Sequence, residues 1–193
     1  MVQILIAVVL FPGAGMALAQ SLNDVGSQRE TAHAGLSASA ETRLRTGEEF
    51  AFVANAPVER AFPLFGAEME RVWAEDWDPQ FLWPAKAEDR EGMVFQLAHG
   101  DRTATWVNTM FDPAAHRIQY VCLLPDFVAT VITLRLTPRG DSTYVTVRYE
   151  RTSLSIEANA KVSEMAEHDK QAGPKWAAQI NRYLAESTHS ESR

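Results

Sequence analysis

Positive charge is scarce in this chain. Lys and Arg number 18 against 25 Asp and Glu, a formal net charge of −7, and no run of Lys and Arg occurs anywhere. A nucleic-acid role is excluded on that ground, because phosphate binding needs a basic face. Cysteine is nearly absent: Cys122 stands alone, so neither an intramolecular disulfide nor a cysteine metal cluster can form. A lone thiol reads most simply as a small buried hydrophobe, with a reactive thiol as the alternative. The five histidines, His33, His99, His116, His168 and His189, show no paired ligand spacing such as His-x-x-x-His. There is no Gly-x-Ser-x-Gly, no phosphate-cradling glycine loop and no dinucleotide fingerprint. No cofactor and no metal are therefore expected. No internal repeat is visible.

Charge is wholly missing from the first 20 residues. Residues 4–11 form an unbroken apolar run, Pro12-Gly13 breaks it, and Ala17-Leu18-Ala19 follows. Small residues three and one before a cut are what a signal peptidase accepts. Cleavage after Ala19 is expected, placing the protein in the periplasm or outside the cell, with no stable membrane anchor once the signal is removed. The run lacks a preceding Lys or Arg, and an uncleaved anchor is the rival reading. It is short, however, against the roughly 20 residues a spanning helix needs. Residues 20–47 hold few large apolar side chains and read as a flexible leader or a loosely docked helix, with a turn of helix over 41–45. The folded domain is expected over 48–187, followed by a frayed polar end at 188–193.

Within that domain, Phe50 and Phe52 alternate along a first strand at 48–55. Asn55-Ala56-Pro57 then opens a short helix at 58–62. Pro63 resets the chain. Phe65, Met69, Val72 and Trp73 fall on one face of a second short helix over 64–73. Strands follow at 81–85, 93–97, 103–111, 117–123, 128–137 and 142–154. Turn residues join them, including Gly100, Asp112-Pro113 and Gly140-Asp141. Strands so close in sequence imply an antiparallel meander. In the last strand Val145, Val147 and Tyr149 share one phase, and Arg148 and Glu150 share the solvent phase. The segment 156–186 is helical, with a bend expected near Gly173-Pro174, because an internal proline removes a hydrogen bond. That bend would let the helix act as a gate. The fold class is thus α+β: a curved antiparallel sheet wrapped on a long C-terminal helix, with two short helices after the first strand.

The chain is organised around residues 70–84. They carry Trp73, Trp77 and Trp83, three of the five tryptophans, with Glu75, Asp76 and Asp78 between them. Tryptophan offers a large apolar face and one N–H donor, which suits either a pocket wall or a packed core; Trp77 and Trp83, beside turns, read as a pocket rim. Glu70 and Arg71 are adjacent and point about 100° apart on a helix. They serve as a structural ion pair with a strand charge such as Arg148 or Glu150, or as polar anchors for a ligand. Tyr120 and Tyr149 share phase with apolar neighbours and point inward. Trp106 has apolar residues on both faces of its strand, so its direction stays open. Phe95 lies on the Met93–Leu97 face. Met165 and Trp176 belong to the apolar stripe of the C-terminal helix, and His168, on the same helix, is either solvated or turned into the cavity as a proton donor or acceptor.

The order of elements resembles the helix-grip fold of the SRPBCC superfamily, which holds START lipid-binding domains, pollen-allergen-like ligand carriers and polyketide cyclase-like enzymes. The local pieces are similar to one branch of it: Glu70-Arg71-Val72-Trp73-Ala74 with Trp77-Asp78-Pro79, Thr105-Trp106-Val107, the stretch from Phe111-Asp112-Pro113 to Tyr120-Val121, Val145-Thr146-Val147-Arg148-Tyr149 with Thr152-Ser153-Leu154-Ser155, and the end of the 176–184 helix. The resemblance implies an internal cavity for a small hydrophobic molecule, a lipid or an aromatic metabolite. Candidate ligand contacts are Glu70, Arg71, Trp73, Trp77, Trp83, Phe95, Trp106, Tyr120, Tyr149, Met165, His168 and Trp176. It leaves two functions open, since one fold carries both: an exported binding or carrier protein, or a cyclase- or hydratase-like enzyme. A third reading, an interaction module whose own aromatics fill the cavity, is also open.

Overall fold

The computed structural model describes residues 43–191. The segments expected to be a signal peptide and most of a leader lie outside the described residues. A single sheet of seven antiparallel strands runs in the order β1-β7-β6-β5-β4-β3-β2. The strands are β1 (Arg45–Ala54), β2 (Gln80–Trp83), β3 (Val94–His99), β4 (Arg102–Asp112), β5 (Arg117–Leu124), β6 (Val128–Arg139) and β7 (Ser142–Ser153). Between β1 and β2 come a one-turn helix α1 (Val58–Ala61) and two 3-10 turns, Phe62–Phe65 and Met69–Val72. Two helices, α2 (Asn159–Lys170) and α3 (Gly173–Glu191), close the chain. This is the expected curved sheet gripping a C-terminal helical segment.

Alternation sets the faces. Along β7, Thr143, Val145, Val147, Tyr149, Arg151 and Ser153 are all buried while their neighbours are not. Burying one face of a sheet and wetting the other fixes register, because a one-residue slip would invert every side chain. The buried face of β4 carries Ala104, Trp106 and Asn108. A bulge at Thr109 shifts the register between Asn108 and Met110. It brings Phe111 opposite the buried Ile118 and into contact with Phe62, at 5.2 Å between ring centroids. This explains why both phases of that strand look apolar: Trp106 points inward, and Phe111 joins it only beyond the extra residue.

Three expectations are corrected. The second short helix is a pair of 3-10 turns, and Met69–Val72 buries no residue; Val72 is 45% exposed. The first strand begins at Arg45, where a turn of helix was expected, and Leu44 is tied down by its N–H donating to Ser153 Oγ at 2.9 Å and Asn159 Oδ1 at 3.0 Å. The C-terminal segment is broken rather than bent, at Gln171-Ala172. Pro174 sits in the first turn of α3, where the missing N–H sacrifices no helical hydrogen bond. Gly173 is pressed against β1: a Cβ there would stand 3.1 Å from the Ala51 carbonyl oxygen and 3.4 Å from Phe50. The C-terminus stays helical to Glu191.

Candidate functional site

A cavity of about 560 Å³ opens between the concave face of the sheet, the 69–77 segment and α2 with the start of α3. Seven of its 22 lining residues carry Phe, Trp or Tyr rings. Trp73 and Trp176 lie 5.4 Å apart, and Trp176 is also 5.4 Å from Phe50. On the other side Trp77 meets Trp106 edge-on at 5.6 Å, and Phe95 stacks behind Trp106 at 5.6 Å. The indole N–H of Trp73 donates to the Leu64 carbonyl at 2.6 Å and that of Trp77 to the Ala67 carbonyl at 2.7 Å. Both donors are thereby satisfied within the protein, which fixes the rings and leaves their faces as the lining. The Trp106 indole N–H is buried and has no protein partner.

The polar groups gather at defined places. The Tyr120 hydroxyl donates to the Phe65 carbonyl at 3.0 Å. Burial, then the nearby Glu70 and Asp89, push its pKa well above the usual phenol range. Burial raises the Tyr149 hydroxyl as well. Glu70 lines the cavity. Its carboxyl is held well above the usual carboxylate range, first by burial and then by repulsion from Asp89, as expected when a charge loses water without gaining a cation. Asp89 accepts from the Glu68 N–H at 3.3 Å, which ties its loop to the segment carrying Glu70. His99 is lowered by burial, so it is neutral near pH 7. Across the cavity, the Arg151 guanidinium donates through Nε and Nη2 to both oxygens of Asp169, each at 2.8 Å, and through Nη1 to Thr130 Oγ1 at 3.1 Å. Arg151 also lies over the Tyr149 ring at 4.6 Å.

Nine of the residues singled out from sequence line this cavity: Glu70, Trp73, Trp77, Trp106, Tyr120, Tyr149, Met165, His168 and Trp176. Three do not. Trp83 is 50% exposed on the edge strand β2 and stacks under Arg90, whose guanidinium carbon is 5.1 Å from its ring. Arg71 turns away to Glu68 at 3.0 Å, to Asp78 and to the Pro79 carbonyl; it is a structural clamp on the turn after Trp77. Arg148 and Glu150 instead pair with each other at 3.8 Å, and Glu150 also takes Arg45 at 3.3 Å. Phe95 is fully buried and supports Trp106 from behind. Cys122 is buried, its thiol pushed up to about 12 by desolvation, and lies outside the main cavity.

Sequence reasoning missed Arg151 and Asp169. The signals were present. Arg151 continues the Val145-Val147-Tyr149 phase, and Asp169 continues Val162, Met165 and Ala166 at helical spacing. Among the described residues no group of three or more His, Cys, Asp or Glu is placed to hold a metal, and no helix is long and apolar enough to cross a membrane.

No protein-family profile and no curated protein matches the chain. Solved structures do. Norcoclaurine synthase from Thalictrum flavum superposes with a TM-score of 0.55 at 9% identity, covering 90% of this chain and 99% of that one. The Zhui aromatase/cyclase from Streptomyces sp. R1128 gives 0.53 at 15%, covering 75% and 94%. Ara h 8.0201 gives 0.51 at 10%, covering 74% and 99%. Identities this low establish shared architecture and nothing about chemistry. Element order, sheet topology and these superpositions agree on one conclusion: the chain has a helix-grip fold.

Proposed function

We propose that this protein binds a small hydrophobic molecule with a flat ring system inside the cavity and serves as its carrier. The observation that carries this reading is the cavity itself, about 560 Å³ and walled by Phe65, Trp73, Trp77, Trp106 and Trp176. A volume of that size falls in the range that holds a small ligand, and burying apolar surface there contributes about 25 cal/mol per Å². Fold neighbours include enzymes and one structure in complex with dopamine and hydroxybenzaldehyde, so ring-bearing ligands are within the reach of the architecture. Export fits a carrier role, with Gln20 as the first residue after cleavage.

Native mass spectrometry of protein purified from the exported fraction without detergent tests the reading. An added mass that leaves on denaturation is expected. A bare polypeptide mass, together with no uptake of naphthalene-type probes, overturns it. N-terminal sequencing of the same sample reads the cleavage site, expected at Gln20.

A second reading, an acid–base enzyme, is favoured by one observation. Glu70 is a cavity carboxyl shifted toward neutrality, close enough to Tyr120 and Tyr149 to raise both. Such a group holds its proton to higher pH than an ordinary carboxyl and can transfer it. Turnover of a bound ligand that disappears in Glu70→Gln would select this reading over the carrier.

A further inference from the structure

We infer that the cavity selects organic cations: an amine or quaternary ammonium on a flat apolar body, in preference to a neutral alcohol and strongly in preference to a carboxylate. The inference deepens the binding function proposed above and rests on it.

Three features of the lining support it. First, the charged groups around the cavity are unbalanced. Glu70, Glu75, Asp76 and Asp169 line it, and among the described residues Arg151 is the one Lys or Arg side chain that does. Second, that arginine is already committed. Nε and Nη2 serve Asp169 and Nη1 serves Thr130, so three of its five N–H groups are engaged and its charge is already balanced by Asp169; an entering carboxylate has to share that one cation with a buried acid. Among the described residues, Glu70, Glu75 and Asp76 enter no salt bridge. Third, the space beside these acids is bounded by the rings of Trp73, Trp77, Trp106, Tyr120, Tyr149 and Trp176. Aromatic faces carry negative quadrupole density and attract a cation within about 6 Å, most strongly where water is excluded.

The acids divide the task by position. Glu75 and Asp76 are exposed and set the field at the entrance, where attraction acts on the association rate and is screened by salt. Glu70 lies deeper. It interacts electrostatically with Asp89, Tyr120 and Tyr149, and Arg151, Asp169, His99 and His168 also line the space. With no cation beside it, burial and Asp89 make Glu70 hold its proton to higher pH than an ordinary carboxyl does. An ammonium group removes the reason for keeping it, so the O–H proton passes to solvent as the carboxylate pairs with the cation. Cation binding therefore releases a proton from Glu70, and affinity for a permanently charged ligand rises with pH through the range in which Glu70 titrates.

The test is isothermal titration calorimetry with four probes on one ring system: naphthylethylamine, its trimethylammonium analogue, naphthylethanol and naphthylacetate. The ammonium probes are expected to bind about tenfold tighter than the alcohol, and the carboxylate weaker than the alcohol by about the same factor. Repeating the titration in buffers of different ionisation enthalpy should show proton release with the trimethylammonium probe, which has no proton of its own, and none with the alcohol. Glu70→Gln should abolish that release and shrink the preference for ammonium over alcohol. The pair Glu75→Gln and Asp76→Asn should slow association of the cations and flatten its salt dependence; asparagine tolerates the positive φ of 61° at position 76. Alcohol binding as tight as the amine overturns the cation preference and leaves the carrier reading standing. Failure of all four probes to bind overturns both.

Discussion

Both oxygens of Asp169 accept hydrogen bonds from one side of the Arg151 guanidinium, with the side chains only 11% and 5% exposed. The pair joins the sheet to the helix that covers it, since Arg151 lies on β7 and Asp169 on α2. A buried pair is weak evidence of net stabilisation, because desolvating two charges costs about what their attraction returns. Its value is positional: it dictates how α2 sits over the cavity.

Removing one partner should therefore be far worse than removing both. Arg151→Met or Asp169→Leu alone is expected to lose about 3–5 kcal/mol, since each leaves a buried charge unpaired. The double variant should recover most of that loss. Urea unfolding of the two singles and the double closes the cycle; singles that cost under about 1 kcal/mol would mean the pair is solvated.

Glu70 predicts an unusual pH response. Its folded pKa lies above its unfolded value, so between the two the native state holds more protons. The group's contribution thus falls as pH rises from the ordinary glutamate range through the raised value. Glu70→Gln should be more stable than the parent at about pH 7.5, with the advantage gone near about pH 4. An advantage that does not change with pH would place the carboxyl in ordinary solvent.

Gly66 has no room to grow. A Cβ there would lie 2.0 Å from Asp89 Oδ2. Gly66→Ala should evict that carboxylate and release the segment bearing Glu70, at about 1–3 kcal/mol. Asp89→Ala in the same background should relieve the clash, so thermal unfolding of the single and double variants separates the steric cause from a backbone one.

The tryptophans should divide by location. Trp83→Ala removes a ring that sits half in solvent over Arg90, and is expected to leave ligand affinity within about twofold of the parent. Trp176→Ala takes away the ring that meets Phe50, Trp73 and Phe65 and should cost about 3–5 kcal/mol in stability together with probe binding. Calorimetric titration of both variants with the naphthyl probes checks the division; equal losses would mean the rim extends to β2.

What the sequence revealed follows from the range of the forces involved. Strands are legible because alternation is a local record of which face is wet: six of the seven expected strands lie within two residues of their observed ends, and β1 starts three residues early because Leu44 is held by distant Ser153 and Asn159. Trp106 could not be oriented, since the bulge at Thr109 changes phase midway through β4. Arg71 and Trp83 were misplaced because their partners, the Pro79 carbonyl and Arg90, are local but unmarked by any pattern. Arg151 shares the buried phase of Val145, Val147 and Tyr149, but a charge on that phase has no visible partner until Asp169 is brought beside it. The cavity's membership was largely visible, whereas the ion pair that shapes it needed two elements to be brought together.

The sheet order has a consequence in time. β1 is made first, yet its neighbour in the sheet is β7, the last strand. Until Ser142–Ser153 emerges, β1 has no strand to pair with, and the concave surface has no second edge. Contacts so distant in sequence form late and slowly. A nascent chain arranged this way remains threadable until nearly all of it has been synthesised, and in that interval its apolar strands need a holding partner or a vectorial route away from their neighbours.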